Sequence, residues 1–251
     1  MSKKPAKKPA KKSATKAKPK ATVAGTTHVC VVLDRSGSMQ ARRTDALGGV
    51  NSYIAVAKKD KALKASRLSL VTFASAPGVE SVQTLRKHES IVDVEPILDS
   101  EYRCDGWTPL YDAIGRGIGI LDEATGGKGK AVLVVMTDGQ ENHSKEFTRP
   151  KITQLIEERQ KAGWMVLFLG EGLDVAKQGL DIGTHAVNTV SYTSAGLRSS
   201  GAVLGQSAGR YAATQDFGEQ LAAAENALTD AEKRMLQTAR DVTKKLKARR
   251  A

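Results

Sequence analysis

The chain has 251 residues, 40% of them hydrophobic, and a formal charge of +12. This suits a packed core in one large or two small domains, and no apolar run is long enough to span a membrane. The charge sits at the ends: residues 1–20 hold nine lysines and no acid, residues 233–251 hold eight Lys or Arg against Asp241, and the stretch between them carries −4.

In chain order, after Met1 the residues up to 22 are Lys, Ala, Pro, Ser and Thr with no aromatic or branched aliphatic side chain to bury. Burial cannot offset the entropy of ordering them, so residues 1–26 are expected to form a disordered tail. Its composition is similar to the tails of linker histones and bacterial nucleoid proteins, which implies phosphate neutralisation; a solubilising arm or one for an acidic partner is the alternative. From residue 28 strands and helices alternate. HVCVVLD is a continuous apolar run and is expected as a buried strand. In residues 46–59 Leu47, Val50, Ile54 and Ala57 have helical spacing. RLSLVTFAS and SVQTL are read as strands, TPLYDAIGRGIGILDEA as a helix, KAVLVVMTDG as a buried strand and KITQLIEERQKAG as a helix. WMVLFLG, LDVAKQGLDIG and AVNTVSY continue as strand, short helix and strand. The expectation is an α/β fold, doubly wound around a mostly parallel sheet, over residues 27–192. In such a sheet ligands bind beyond the carboxyl ends of the strands.

Residues 193–251 are expected to form a helical C-terminal extension with a basic end. SAGLRSSGAVLGQSAGRY is rich in small residues and only moderately helical in character. Thr229 and Glu232 have capping-box spacing, and Met235, Leu236, Ala239, Val242 and Leu246 form one stripe suited to docking or self-pairing. Cys30 and Cys104 are too few and too far apart for a disulfide framework or a four-cysteine zinc site, so a reducing compartment fits best. No apolar stretch follows the basic N-terminus within 28 residues, which gives no expectation of export.

Three short segments fall at or beside strand ends: Asp34-Arg35-Ser36-Gly37-Ser38, Gly106-Trp107-Thr108-Pro109 and Thr137-Asp138-Gly139. They offer two carboxylates and three hydroxyls of Asp34, Ser36, Ser38, Thr108 and Asp138, an all-oxygen set suited to a hard cation such as Mg²⁺. Singly, each has a plainer reading: Ser36 or Thr108 as a helix cap, Asp138-Gly139 as a turn. Taken together, Asp-x-Ser-x-Ser, the distant Thr and the distant Asp resemble the von Willebrand factor A (vWA) domain family and its metal-ion-dependent adhesion site. DRSGSM, GWTPLYDAI and TDGQEN are similar to its intracellular bacterial and phage branch. The resemblance implies a Rossmann-like vWA fold in which Ser36, Ser38 and Thr108 approach the ion directly. Asp34 and Asp138 would bind it directly or through water, and one coordination position would await a partner's carboxylate. Mg²⁺ is the expected ion, with Mn²⁺ or Ca²⁺ as alternatives. Gly37 is expected to permit a tight loop, and Pro109 suits a first helical turn.

Arg35, Arg42 and Arg43 lie near these segments in sequence and are read as solvated loop charges that could steer an acidic ligand. Glu141, Asn142 and His143 are read as a cap or surface turn, and His28, His88 and His185 as structural. Trp107 either shields the metal loop or fills a gap. No Ser-His-Asp hydrolase pattern is present, and GGKGKAVL lacks the spacing of a phosphate loop and precedes a strand, so an enzyme is not expected. The expected function is a cytoplasmic adaptor that captures a partner's Asp or Glu through the ion, with basic tails that contact DNA or RNA and a possible nucleoid association. The alternative is a nucleic-acid condensing protein in which the vWA domain mediates self-assembly into a homo-oligomer. No membrane partner is expected.

Overall fold

A computed structural model describes residues 25–185, 188–192 and 197–213. The N-terminal tail to residue 24 and the Thr229–Glu232 cap with its apolar stripe lie outside the described residues. β1 (His28–Asp34), β2 (Arg67–Phe73), β3 (Val82–Ser90), β4 (Ala131–Thr137), β5 (Met165–Glu171) and β6 (Thr189–Tyr192) form one sheet in the order β3-β2-β1-β4-β5-β6. The helices are α1 (Arg43–Lys59), α2 (Leu110–Thr125), α3 (Arg149–Lys161), α4 (Gly172–Asp181) and α5 (Leu197–Ala213). Among the described residues no helix is long and apolar enough to cross a membrane.

All neighbouring strands pair in parallel except β2 and β3. The central strands read as unbroken apolar runs because both faces are covered, and their alternate side chains enter two cores. Val29, Val31, Leu33, Val132, Val134 and Met136 face one side with Val50, Tyr53 and Ile54 of α1 and Leu204 and Tyr211 of α5. Cys30, Val32, Leu133 and Val135 face the other, against Leu110, Ile114 and Ile118 of α2 and Ile152 and Ile156 of α3. The expected doubly wound arrangement is therefore present. β3 is the antiparallel exception and runs on past SVQTL to Ser90; its pairing with β2 is broken by register shifts around Leu70, and His88 has φ 52°. Irregular pairing and charged residues (Arg86, Lys87, Glu89) blunt this sheet edge.

The chain passes from β1 to β2 and β3 on one side and returns through α2 to β4 on the other side of β1. The order reverses between β1 and β4, so their carboxyl ends, Asp34 and Thr137, flank the crevice where this class of sheet binds ligands. The segment beyond residue 193, moderately helical by its composition, contains the 17-residue α5, which packs along α1. Gly201, Gly205 and Gly209 recur every four residues on the face that meets Gly49 and Val56 of α1 and Asp60 at its C-cap.

Candidate metal centre

β1 ends in a buried carboxylate. The side chain of Asp34 is fully covered, its Oδ1 accepts the Ser36 N–H at 2.7 Å, and its Oδ2 accepts the Thr137 hydroxyl at 2.5 Å. The Tyr102 hydroxyl donates to the Asp34 carbonyl, closing the strand end from below. Past this anchor the chain enters a short 3₁₀ turn, Gly37–Arg42, whose start brings the Ser36 and Ser38 hydroxyl oxygens within 3.2 Å of each other. Ser38 Oγ donates to Asp138 Oδ1 at 2.7 Å, across 100 residues of sequence.

The third segment comes from the turn before α2. Gly106 has φ 73°, and a Cβ there would lie 2.7 Å from the Ser75 carbonyl carbon, so only glycine lets this backbone pass against residue 75. Trp107 pairs with Ser75 through both N–H···O bonds (2.9 and 3.0 Å), and the Gly37 N–H donates to the Gly106 carbonyl at 3.0 Å. Gly37 itself is not among the positive-φ glycines, so the loop freedom expected of it resides in Gly106 instead. Thr108 is buried and is held from both sides by Asn142: its N–H donates to Asn142 Oδ1 at 2.8 Å and its carbonyl accepts the Asn142 N–H at 3.1 Å. A Cβ on Gly139 would meet Thr108 Oγ1 at 3.3 Å and Ser38 Oγ at 3.6 Å, so both hydroxyls converge on the chain just after Asp138.

The structure thus gathers Ser36, Ser38, Thr108 and Asp138 at the crevice and places Asp34 directly beneath. Two plainer readings lose ground. The Ser36 side chain, at the start of the 3₁₀ turn, makes no capping hydrogen bond, and the α2 N-cap is Pro109 rather than Thr108. The Ser36 and Ser38 hydroxyls are bonded to each other and that of Ser38 to Asp138, and among the described residues no histidine is hydrogen-bonded to either to activate a nucleophile. Burial raises the pKa of Asp34 to about 6 and pushes that of Asp138 upward as well. Two covered carboxylates that resist ionisation are an environment that a cation relieves. Among the described residues no three His, Cys, Asp or Glu side chains converge as a metal cluster, so an ion here must draw on the hydroxyl oxygens. That donor set fits Mg²⁺, which takes few carboxylates and keeps water.

Several residues differ from their sequence reading. Arg35, Arg42 and Arg43 are not solvated loop charges. Arg35 is buried and donates to the Glu80 carbonyl at 3.1 Å. Arg43 donates to the Tyr102 carbonyl at 2.8 Å and pairs with Asp99. Arg42 pairs with Asp138 at 3.2 Å and with Glu171 at the end of β5. Glu141 keeps the cap reading: its carboxylate accepts the N–H of Tyr111 in the first turn of α2, and also those of His143 and Ser144, tying the β4 loop to α2. Trp107 fills no gap; it is 61% exposed and stacks on His143 at the rim, with ring centres 6.3 Å apart. Glu171 went unnoticed in the sequence, and Thr137 and Asn142 were named there without the bonds they make to Asp34 and Thr108. Thr137 is adjacent to a motif aspartate, but a hydroxyl pointing back to β1 has no local signature.

Residues 28–202 match the family described as von Willebrand factor type A domain. No curated sequence is significantly similar to the chain. Among solved structures, the pilus adhesin SpaC from Lactobacillus rhamnosus GG superposes with TM-score 0.61 at 15% identity, over 77% of this chain and 32% of the adhesin. The vWF domain of the type V pili tip protein Mfa5 from Porphyromonas gingivalis gives 0.54 at 13% identity, over 75% of this chain and 96% of that domain. A mutant of the PilB minor pilin from Streptococcus sanguinis gives 0.53 at 13% identity, over 74% of this chain and 62% of the pilin. The chain spans about a third of the SpaC adhesin, and at these identities the likeness is one of fold.

Proposed function

Since the chain belongs to the von Willebrand factor type A domain family, we propose that it is an intracellular, non-enzymatic binding module that captures an acidic side chain of a protein partner through Mg²⁺ held by Ser36, Ser38, Thr108 and Asp138, with Asp34 beneath. The observation that carries this reading is the convergence of three hydroxyls and a covered carboxylate at the strand-order reversal, with none of the hydroxyls used as a helix cap. When bound, the ion would keep net positive charge toward solvent, because the hydroxyl ligands are neutral, and that charge attracts a carboxylate. The protein's own part is to hold the donors. Asp34 and Thr137 fix the first loop, Asn142 fixes Thr108, and Glu141 fixes the loop after β4. The similar fold of the pilus adhesin SpaC agrees with a role in protein–protein contact.

The test is a pull-down from nuclease-treated lysate with wild type and Asp138→Ala, each in Mg²⁺ and in EDTA, alongside calorimetric titration of Mg²⁺. A protein retained only by wild type in Mg²⁺ is the expected result. Equal retention by both variants regardless of metal would refute it. The nine lysines of residues 1–20 support a second activity, nucleic-acid contact, which should fall steeply with salt while metal-mediated capture responds to EDTA.

A further inference from the structure

Arg42 lies at the end of the 3₁₀ turn with its side chain 26% exposed, between Asp138 just past the end of β4 and Glu171 at the end of β5. Its Nη1 donates to Asp138 Oδ2 at 3.2 Å and lies 3.4 Å from the Ser38 carbonyl oxygen; its Nε contacts Glu171. The side chains of Asp138 and Glu171 are 2% and 17% exposed, so both carboxylates are largely withdrawn from water. Asp138 is thus divided: Oδ1 takes the Ser38 hydroxyl and Oδ2 takes the guanidinium.

Without a cation, Asp138 and Glu171 would place two negative charges beside one crevice, and Arg42 offsets part of that repulsion. A divalent ion entering the hydroxyl cluster meets a fixed positive charge on the carboxylate it needs. Glu171 draws the guanidinium toward β5 and so limits how fully it neutralises Asp138.

We infer that Arg42, held by Glu171, is an internal counter-cation that competes with the divalent ion for Asp138 and thereby sets the metal affinity of the site. The inference rests on the metal-dependent reading above. Arg42 and Glu171 are positioning residues here: Glu171 acts on the ion through its hold on Arg42 in addition to its direct charge beside Asp138. A planar guanidinium reaches both acids at once, which a lysine ammonium does less well, so charge and geometry are separable by substitution.

The experiment is calorimetric titration of the full chain with Mg²⁺ and with Mn²⁺ for wild type, Arg42→Met, Arg42→Lys, Glu171→Gln, the Arg42→Met/Glu171→Gln pair and Asp138→Ala, each with a metal-free thermal melt. Loss of one partly screened charge near the ion should tighten binding about tenfold in Arg42→Met. Arg42→Lys, which keeps the charge, should stay within about threefold of wild type, and Glu171→Gln should bind several-fold more weakly. In the Arg42→Met background the Glu171→Gln change should shrink, because only the direct charge of Glu171 on the crevice remains. Arg42→Gln replaces Arg42→Met if the latter fails to fold. Unchanged or weaker binding by Arg42→Met, with binding abolished in Asp138→Ala, overturns this inference and leaves the metal reading standing. The same holds if Glu171→Gln is equally damaging in both backgrounds. If neither wild type nor Arg42→Met binds either ion, both readings fall.

Discussion

Gly201→Ala should unfold the contact between α5 and α1. A Cβ at residue 201 would lie 2.6 Å from the Gly49 carbonyl carbon, closer still to its oxygen, and 2.9 Å from the Gly49 Cα. Real Cβ contacts essentially never fall below 3.0 Å, and all three obstacles are backbone, so no side chain can rotate away. The two helices must separate, stripping Leu204, Ala208 and Tyr211 from Val50, Tyr53 and Ile54. Overpacking of this kind costs typically 1–3 kcal/mol, and the backbone origin of the clash places it at about 3 kcal/mol. For a domain of this size about 3 kcal/mol lowers the melting temperature by roughly 6–12 °C. The control is Gly119→Ala, on the exposed face of α2 with nothing within 4 Å of its Cβ; better helix propensity should raise stability by about 1 kcal/mol. Urea and thermal unfolding by circular dichroism would compare the two. Gly201→Ala melting at or above wild type would refute the packing of α5 on α1.

Thr137→Val removes the hydroxyl that donates to the buried Asp34 Oδ2 and should cost about 1–3 kcal/mol in urea unfolding; a change within error would mean that the bond carries nothing. Asn142→Ala removes the side-chain acceptor of the Thr108 N–H while keeping the backbone N–H that bonds the Thr108 carbonyl, and should weaken Mg²⁺ binding several-fold in calorimetry while leaving Asp138–Ser38 intact; unchanged affinity would count against Thr108 as a ligand. Burial pushes His28 and His88, whose rings lie 6.0 Å apart, below the ordinary histidine value of 6.5. The unfolded chain then takes up protons first, so the stability of these neutral rings is complete above about pH 6.5 and is lost as pH falls through 6.5 toward the folded values. Asp34, raised to about 6, has the opposite sign, and stability from its retained proton is lost as pH rises through 6. The histidine contribution is therefore isolated by comparison with His88→Asn, chosen because asparagine tolerates the φ of 52° at that position. Wild type should lose more stability than this variant between pH 7 and 5; parallel curves would refute the assignment. Self-assembly through the ion predicts a larger species in Mg²⁺ than in EDTA by light scattering, and equal sizes would exclude it.

Much of the fold was legible along the chain. Central strands covered on both faces must be apolar throughout, so HVCVVLD and AVLVVM announced buried parallel strands, and Leu47, Val50, Ile54 and Ala57 announced the covered face of α1. The candidate ligands were legible as residue types in order. α5 was less so, because a helix that packs through Gly201, Gly205 and Gly209 carries little of the apolar stripe by which helices are recognised, although its four-residue glycine spacing was a signal in plain view. The antiparallel course of β3 was hidden too, since strand direction leaves no trace in a short run of mixed residues.

Side-chain chemistry and period are local properties, and they determined which segments become strands or helices and which residues suit a hard cation. Tertiary structure alone decided what those residues meet. The placement of β1 beside β4 brings Ser38 to Asp138 and Thr137 to Asp34, and the placement of β5 beside β4 gives Arg42 two acids instead of solvent. Such encounters join residues about a hundred positions apart, where strand order and burial set the distances and no pattern within either segment records them.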